Sequence, residues 1–328
     1  MKLRICGAYC VTFNSASIFP KQSSLKAIKP FDPWRSPLCT CPMKWVVHPY
    51  TGCSHACLYC YAANYIPKHS TPRPKKDFLS LITKDLSLIP KDALVELSTS
   101  SDPYSWPEKE LGITRLVLHK LLENGARVLI TTKSSFVVRD LDLLSKYRNR
   151  VAVAITITTL DDKLAKIIEP GAPPPSERLK AVKLLAANGI GVVVRLDPII
   201  PFINDSYENM ENVISSVAAA GALQITSSTY KAKPVDFKKI LNVVRMLRGD
   251  RVAEEFKFLY FGNSKNVVSG YRYLDEKQRL DYMKIVREIS YSNGLVFATC
   301  REGFKYLHTP GFNCDGSSFA YRDITELP

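Results

Sequence analysis

At 328 residues and 46% hydrophobic content, the chain can bury one large core or two ordinary ones and is expected to be globular and soluble. No run approaches the ~20 apolar residues of a membrane span, and the apolar stretch 5–13 is broken by Thr12 and lacks a small-residue cleavage site, so neither a membrane protein nor a secreted one is expected. The formal charge of +14 favours a polyanionic partner, and residues 1–80 hold eleven Lys/Arg against two Asp, so +9 of the +14 lies in that first quarter.

In chain order, residues 1–42 read as a basic extension with scattered Pro and Ser and little periodicity; Pro30, Pro33, Pro37 and Pro42 make it a wrapping segment. A short strand at 45–47 leads directly into TGCSHACLYCYAANY, from Thr51 to Tyr65. Strand and helix patterns then alternate: strand 94–97, helix 108–123 closed by Gly125, strand 127–131, helix 136–146, strand 151–157, helix 176–188 with Gly189 after it, and strand 190–196. A helix capped by Asn204-Asp205 runs to about 220, and strand 223–227 follows. Six β-branched strands alternating with helices predict an α/β fold, a partial six-stranded (β/α)6 TIM-type barrel over residues 43–230. Beyond Tyr230 the pattern shifts to helices near 236–248, 252–259 and 276–293 and a last strand at 295–298, making 231–328 a helical segment with a cysteine-containing tail.

The chemistry-bearing stretch is the loop after the first strand, where a barrel presents its ligands. Cys53, Cys57 and Cys60 stand as C-x3-C-x2-C. Three thiolates this close can hold three irons of a 4Fe-4S cluster and leave the fourth iron open. Zinc is the rival, although a structural zinc usually takes four ligands in two paired knuckles and no second Cys or His pair follows nearby. With nine cysteines and three in such a motif, a reducing cytoplasm is expected rather than a disulfide scaffold.

With the aromatic Tyr59 ahead of the third cysteine, this motif resembles the radical S-adenosylmethionine enzymes. HPYTGCSHACLYCYA from His48, TSSDPYSWPE from Thr99, TTKSS from Thr131, RDLDLL from Arg139 and TTLDDKLAKIIEPGAPPPSERLKAV from Thr158 resemble the spore photoproduct lyase-related branch, over about 45–205. The resemblance implies that the open iron chelates the amino and carboxylate groups of S-adenosylmethionine, whose sulfonium is cleaved by one electron to a 5′-deoxyadenosyl radical. It implies an electron donor such as ferredoxin or flavodoxin. It also implies that polar groups after the second strand, Ser100, Ser101 and Asp102 among them, support the cofactor's amino group, that Lys133 meets its carboxylate, and that Tyr59 and Tyr61 lie near the adenine and along a radical relay, as binding or catalytic residues.

Other positions are read from their pattern. Thr156 and Thr158 share one face of the fourth strand and reach either ribose hydroxyls or neighbouring backbone. Arg195, in an apolar strand, needs a partner, either the cofactor's carboxylate or an acidic core residue. Pro198-Ile199-Ile200-Pro201 shapes an adenine pocket or stiffens a loop. The lyase's hydrogen-donor cysteine has no counterpart: the aligned turn is Thr99-Ser100-Ser101-Asp102, and no cysteine lies between Cys60 and Cys300. Repair by the lyase route is therefore not expected.

Cys39, Cys41, Cys300 and Cys314, from the two ends of the chain, either meet as a second metal site, for an auxiliary cluster or zinc, or are buried inert thiols. His308 is a substitute ligand or a surface histidine. The combined reading is a radical enzyme that modifies nucleic acid. The alternatives are a radical enzyme acting on a small metabolite or peptide, and a non-catalytic metal-stabilised nucleic-acid-binding protein.

Overall fold

The computed structural model describes residues 25–31, 36–262, 266–322 and 324. Cys6, Cys10, Lys2, Arg4, Lys21 and Arg35, all part of the expected basic extension or its cysteines, lie outside the described residues.

The six expected strands form one parallel sheet: β2 (Trp45–Val47), β3 (Leu94–Leu97), β4 (Arg127–Thr132), β5 (Val151–Thr156), β6 (Gly191–Ile199) and β7 (Gln224–Thr229), in that order. Each edge carries one more strand. β1 (Ile28–Pro30) pairs antiparallel with β2, and β8 (Val296–Thr299) pairs parallel with β7. The helices crossing between strands include α3 (Ile113–Glu123), α6 (Pro175–Ala187), α7 (Tyr207–Ala219) and α8 (Glu276–Ser292). Among the described residues no helix is long and apolar enough to cross a membrane.

Every residue of β5 is buried because both faces of the sheet are covered. Val151, Val153 and Ile155 face the main core with residues of the helix layer such as Val117, Leu121 and Leu185, while Ala152 and Ala154 face Leu94, Leu129, Val193, Phe319 and Ala320. The second group closes the barrel interior, and it does so with the C-terminal tail. A Cβ on Gly191 would come 2.6 Å from Cβ of Phe319, so a small residue on β6 is what admits the tail. The tail also contributes Asp315, which with Glu96 flanks the buried Lys44 ammonium at 2.5 and 2.6 Å. Burial would lower the Lys44 pKa; the two carboxylates overcome it and hold it well above the usual lysine value.

Several boundaries differ from the sequence reading. The helix expected over 108–123 breaks at Gly112, with φ +60, into α2 (Glu108–Leu111) and α3. Glu108 turns back and accepts hydrogen bonds from the backbone N–H of Thr114 and Arg115, capping α3. Residues 135–140 form a 3-10 turn before α4 (Leu141–Lys146). Ser206, not Asn204 or Asp205, caps α7 through Asn209 N–H; Asn204 instead ties the loop after β6 to the Thr158 carbonyl. Helices α1 (Phe78–Leu86) and α5 (Asp162–Ile168) were not expected. Asp85 of α1 accepts from the backbone N–H of Lys26, Ala27 and Ile28, which fixes β1 to the edge of the sheet.

Candidate active site

All seven parallel strands send residues from their C-terminal ends into one cavity of about 490 Å³, within the size range of small-molecule sites. Cys53, Cys57 and Cys60 line it together. Their loop is held from several directions. Cys53 N–H donates to the His69 carbonyl at 2.7 Å, Leu58 N–H to Ile168 at 2.9 Å, and Gly171 N–H to the His55 carbonyl at 2.9 Å. A Cβ on Gly171 would lie 2.0 Å from the Ser54 carbonyl oxygen, so only glycine lets the 169–172 turn lie flat on the loop. His69 Nε2 lies 3.4 Å from the Cys60 sulfur. Burial pushes the Cys57 thiol up, opposed by the nearby Lys133. Among the described residues no His, Cys, Asp or Glu group of three encloses a single-ion position. The loop thus offers three thiols on one cavity wall, a donor set suited to a cluster with one iron left for another ligand.

Two buried carboxylates organise the surrounding strand ends. Asp102 accepts from Tyr104 N–H at 2.9 Å, Thr132 Oγ1 at 2.8 Å and Lys133 N–H at 2.8 Å, and lies 3.3 Å from His55 Nδ1. Its oxygens are thereby engaged in joining the ends of β3 and β4 to the cysteine loop. Ser100 and Ser101 line the cavity beside it. Glu169 pairs with Arg178 at 2.5 Å and accepts from the hydroxyls of Tyr59 and Thr158. Burial would raise the Glu169 pKa, and the cations of Arg178 and Lys133 hold it below the usual carboxylate value. Arg178 also donates to the Thr156 carbonyl, at 3.1 Å.

The Lys133 ammonium stands 5.5 Å over the Tyr59 ring, in the field of Cys57 and Glu169. Thr156 lines the cavity, whereas Thr158 is turned to Glu169 and is not among the lining residues. Tyr61 lines the cavity and donates to the Thr99 carbonyl. Of the two partners open to Arg195, the structure supplies an acidic core residue, Asp197 two residues on, and its Nη2 lies 3.5 Å from the Cys300 sulfur. Pro198 lines the cavity, while Ile199 and Ile200 are buried in the core. Cys39, Cys41, Cys300 and Cys314 line the same cavity, so it is rich in thiols despite the missing cysteine after β3. His308 instead pairs with Thr299, 2.8 Å away.

The sequence reading missed several lining residues. His48 Nε2 accepts from Thr99 and Ser100 N–H at 3.1 and 3.2 Å, fixing the turn after β3. His48 and His55 were visible in the quoted cysteine motif but carried no spacing signal of their own. Arg301 follows β8 with φ +56 and stacks on the Tyr271 ring at 4.5 Å. Its buried Nε and Nη2 have no hydrogen-bond partner among the described residues. Lys231 pairs with Glu302 at 2.9 Å. Lys44, counted in the basic N-terminal quarter, is interior and paired, so it adds nothing to a basic surface.

A family model, the Radical SAM superfamily, matches residues 47–215, just over half of the 328. A protein of Methanocaldococcus jannaschii is 36% identical over 187 residues, covering 55% of this chain and 68% of that one. One of Acidianus two-tailed virus is 34% identical over 199 residues, covering 55% and 65%. A Mycobacterium tuberculosis relative is 29% identical over 200 residues, 56% of this chain and 58% of the relative, so the match spans less than two thirds of the mycobacterial and viral proteins. A spore photoproduct lyase variant with bound AdoMet and dinucleoside spore photoproduct superposes with a TM-score of 0.59 at 15% identity, over 81% of this chain and 79% of that one. The matched segment runs from the first barrel strand through the cysteine loop to α7, and the fold around it is shared with the lyase: the chain belongs to the Radical SAM superfamily, enzymes that use S-adenosylmethionine and an iron–sulfur cluster.

Proposed function

We propose that Cys53, Cys57 and Cys60 hold a 4Fe-4S cluster and that the enzyme uses it to modify nucleic acid. The chemistry such a cluster supplies when bound is one-electron cleavage of S-adenosylmethionine to a 5′-deoxyadenosyl radical. This chain's residues do the holding. Lys133, a compact ammonium with no carboxylate within ion-pair distance among the described residues, is the residue we assign to the cofactor's carboxylate. Asp102 and Glu169 serve as braces that keep the loop and the strand ends in register.

The observation that carries the substrate reading is Arg301. Arg301 is half-buried on the cavity wall beside Tyr271, and its buried Nε and Nη2, which find no hydrogen-bond partner among the described residues, are costly unless an anion completes them. Together with the formal charge of +14, this favours a phosphate-bearing substrate. The Thr-Ser-Ser-Asp turn lacks a thiol, which supports modification over the lyase's repair route. The assignment to the cytoplasm and the need for a ferredoxin- or flavodoxin-like electron donor belong to the same proposal.

The test is anaerobic purification, reduction with dithionite in the presence of S-adenosylmethionine, and quantitation of 5′-deoxyadenosine in wild type and Cys57→Ala, followed by salt-dependent retention on polynucleotide. Product in the wild type alone, with retention lost as salt rises, supports the reading. Zinc without cofactor cleavage overturns the radical part, and retention indifferent to salt overturns the nucleic-acid part.

A further inference from the structure

We infer that Cys39, Cys41, Cys300 and Cys314 form a second metal centre, a four-thiolate site for zinc or iron, on the cavity that the Cys53–Cys60 loop also lines. These four residues come from places far apart in the chain. Cys39 and Cys41 precede β2, Cys300 follows β8, and Cys314 lies on the tail that fills the barrel interior. β2 and β8 stand near opposite ends of the open sheet, and its curvature brings their flanking residues to one cavity.

The thiols are close. The Cys41 and Cys314 sulfurs lie 3.6 Å apart, across 273 residues of sequence. A tetrahedral ion with metal–sulfur bonds of about 2.3 Å sets its ligand sulfurs about 3.8 Å apart, so this pair already stands at metal spacing. Cys39 and Cys300 line the same cavity as this pair, and each lies within electrostatic reach of Cys41. The Cys41–Cys314 edge stands at metal spacing, and among the described residues no group of three closes on a single-ion position. Cations flank the group, as four thiolates require. Lys44 and Arg195 both act on Cys41, and Arg195 Nη2 touches Cys300 at 3.5 Å. Binding releases the thiol protons and leaves a net negative centre beside these cations.

Inert burial explains this arrangement less well. Buried free thiols normally sit among apolar side chains, but here the neighbours are Lys44, Asp315, Arg195 and Asp197, and Cys39, Cys41 and Cys300 are only partly buried. The inference is independent of the assignment of the Cys53–Cys60 loop, and it accounts for why thiols facing the cavity need not serve as hydrogen donors.

The test is metal and sulfide analysis of anaerobically purified wild type, Cys57→Ala, Cys41→Ser and Cys314→Ser. A zinc of about one per chain, or iron in excess of the about four of a single cluster, supports the site when it persists in Cys57→Ala and falls by at least half in both serine variants. Zinc and iron arms separate the two metals, and iron with sulfide separates a cluster from a single ion. Wild type carrying only the metal that Cys57→Ala loses, with all four thiols alkylated by iodoacetamide in the native protein, would overturn it. So would a Cys41–Cys314 disulfide found by mass spectrometry in protein kept anaerobic. Both of these readouts are made on wild type, so they hold even if a serine variant fails to fold.

Discussion

The Lys44 ammonium lies 2.5 Å from Oδ2 of Asp315, 271 residues away, inside the barrel. This contact, with Glu96 on the other side, is what anchors the tail beneath the cavity. Removing one member of a buried ion group leaves the others uncompensated and typically costs about 3–5 kcal/mol. Lys44→Met is therefore expected to lower the unfolding free energy by about that amount, measured by anaerobic urea denaturation. Asp315→Asn, which keeps a hydrogen-bond acceptor and leaves Glu96 to pair with Lys44, should cost clearly less. Equal losses in the two variants would contradict this account.

Gly171 gives a more local test. Its added Cβ would meet the Ser54 carbonyl at 2.0 Å, so Gly171→Ala must push the cysteine loop and the 169–172 turn apart. The expected result is iron content below half of the wild-type value with a melting temperature only a few degrees lower. Full iron loading in Gly171→Ala would show that the turn does not position the cysteines.

Lys133 is expected to act on the cofactor and not on the cluster. A hydrogen bond to a charged group is worth about 1.5–3 kcal/mol, so Lys133→Met should weaken S-adenosylmethionine binding about 10- to 100-fold in equilibrium dialysis while iron content stays unchanged. Unaltered affinity would remove Lys133 from the binding site.

His48 makes stability depend on pH. Burial, with Lys75 adding to it, lowers its pKa from 6.5 to about 3, so the folded ring is neutral and free to accept the Thr99 and Ser100 N–H groups. The unfolded chain takes up a proton near 6.5 and the folded one near 3. The stabilisation is therefore complete above pH 6.5 and is lost as the pH falls through that window. Wild type should lose about 1.5 kcal/mol relative to His48→Asn between pH 6.5 and 5, read as the difference between their unfolding free energies. A difference that does not change with pH would mean that the ring is already charged in the fold.

Arg301 is expected to govern anion binding. Arg301→Ala should raise the dissociation constant for a fluorescent single-stranded oligonucleotide about tenfold, the equivalent of one charge-assisted contact, with the melting temperature preserved. Arg301→Lys, which keeps the charge but loses the planar fork, should fall between the two. Identical affinities in all three proteins would point to a substrate without phosphate.

Much of this protein could be read from local pattern. The β-branched runs of β2 to β7, the glycines after the helices and the C-x3-C-x2-C loop all depend on neighbours within a few residues, and their strand–helix alternation permits few architectures. Helix ends were less legible because Glu108 and Ser206 act through side-chain bonds to the backbone that compete with periodicity. The need of Arg195 for a partner followed from placing a cation among apolar residues, but that the partner is Asp197 was decided by how the end of β6 folds. The braces formed by Asp102 and Glu169, the interior position of Lys44, the stacking of Arg301 on Tyr271 and the meeting of Cys41 with Cys314 were decided only by the tertiary structure. Each joins segments far apart along the chain, and which of those segments meet is set by sheet curvature and by the tail packing against Gly191, neither of which leaves a mark in local sequence.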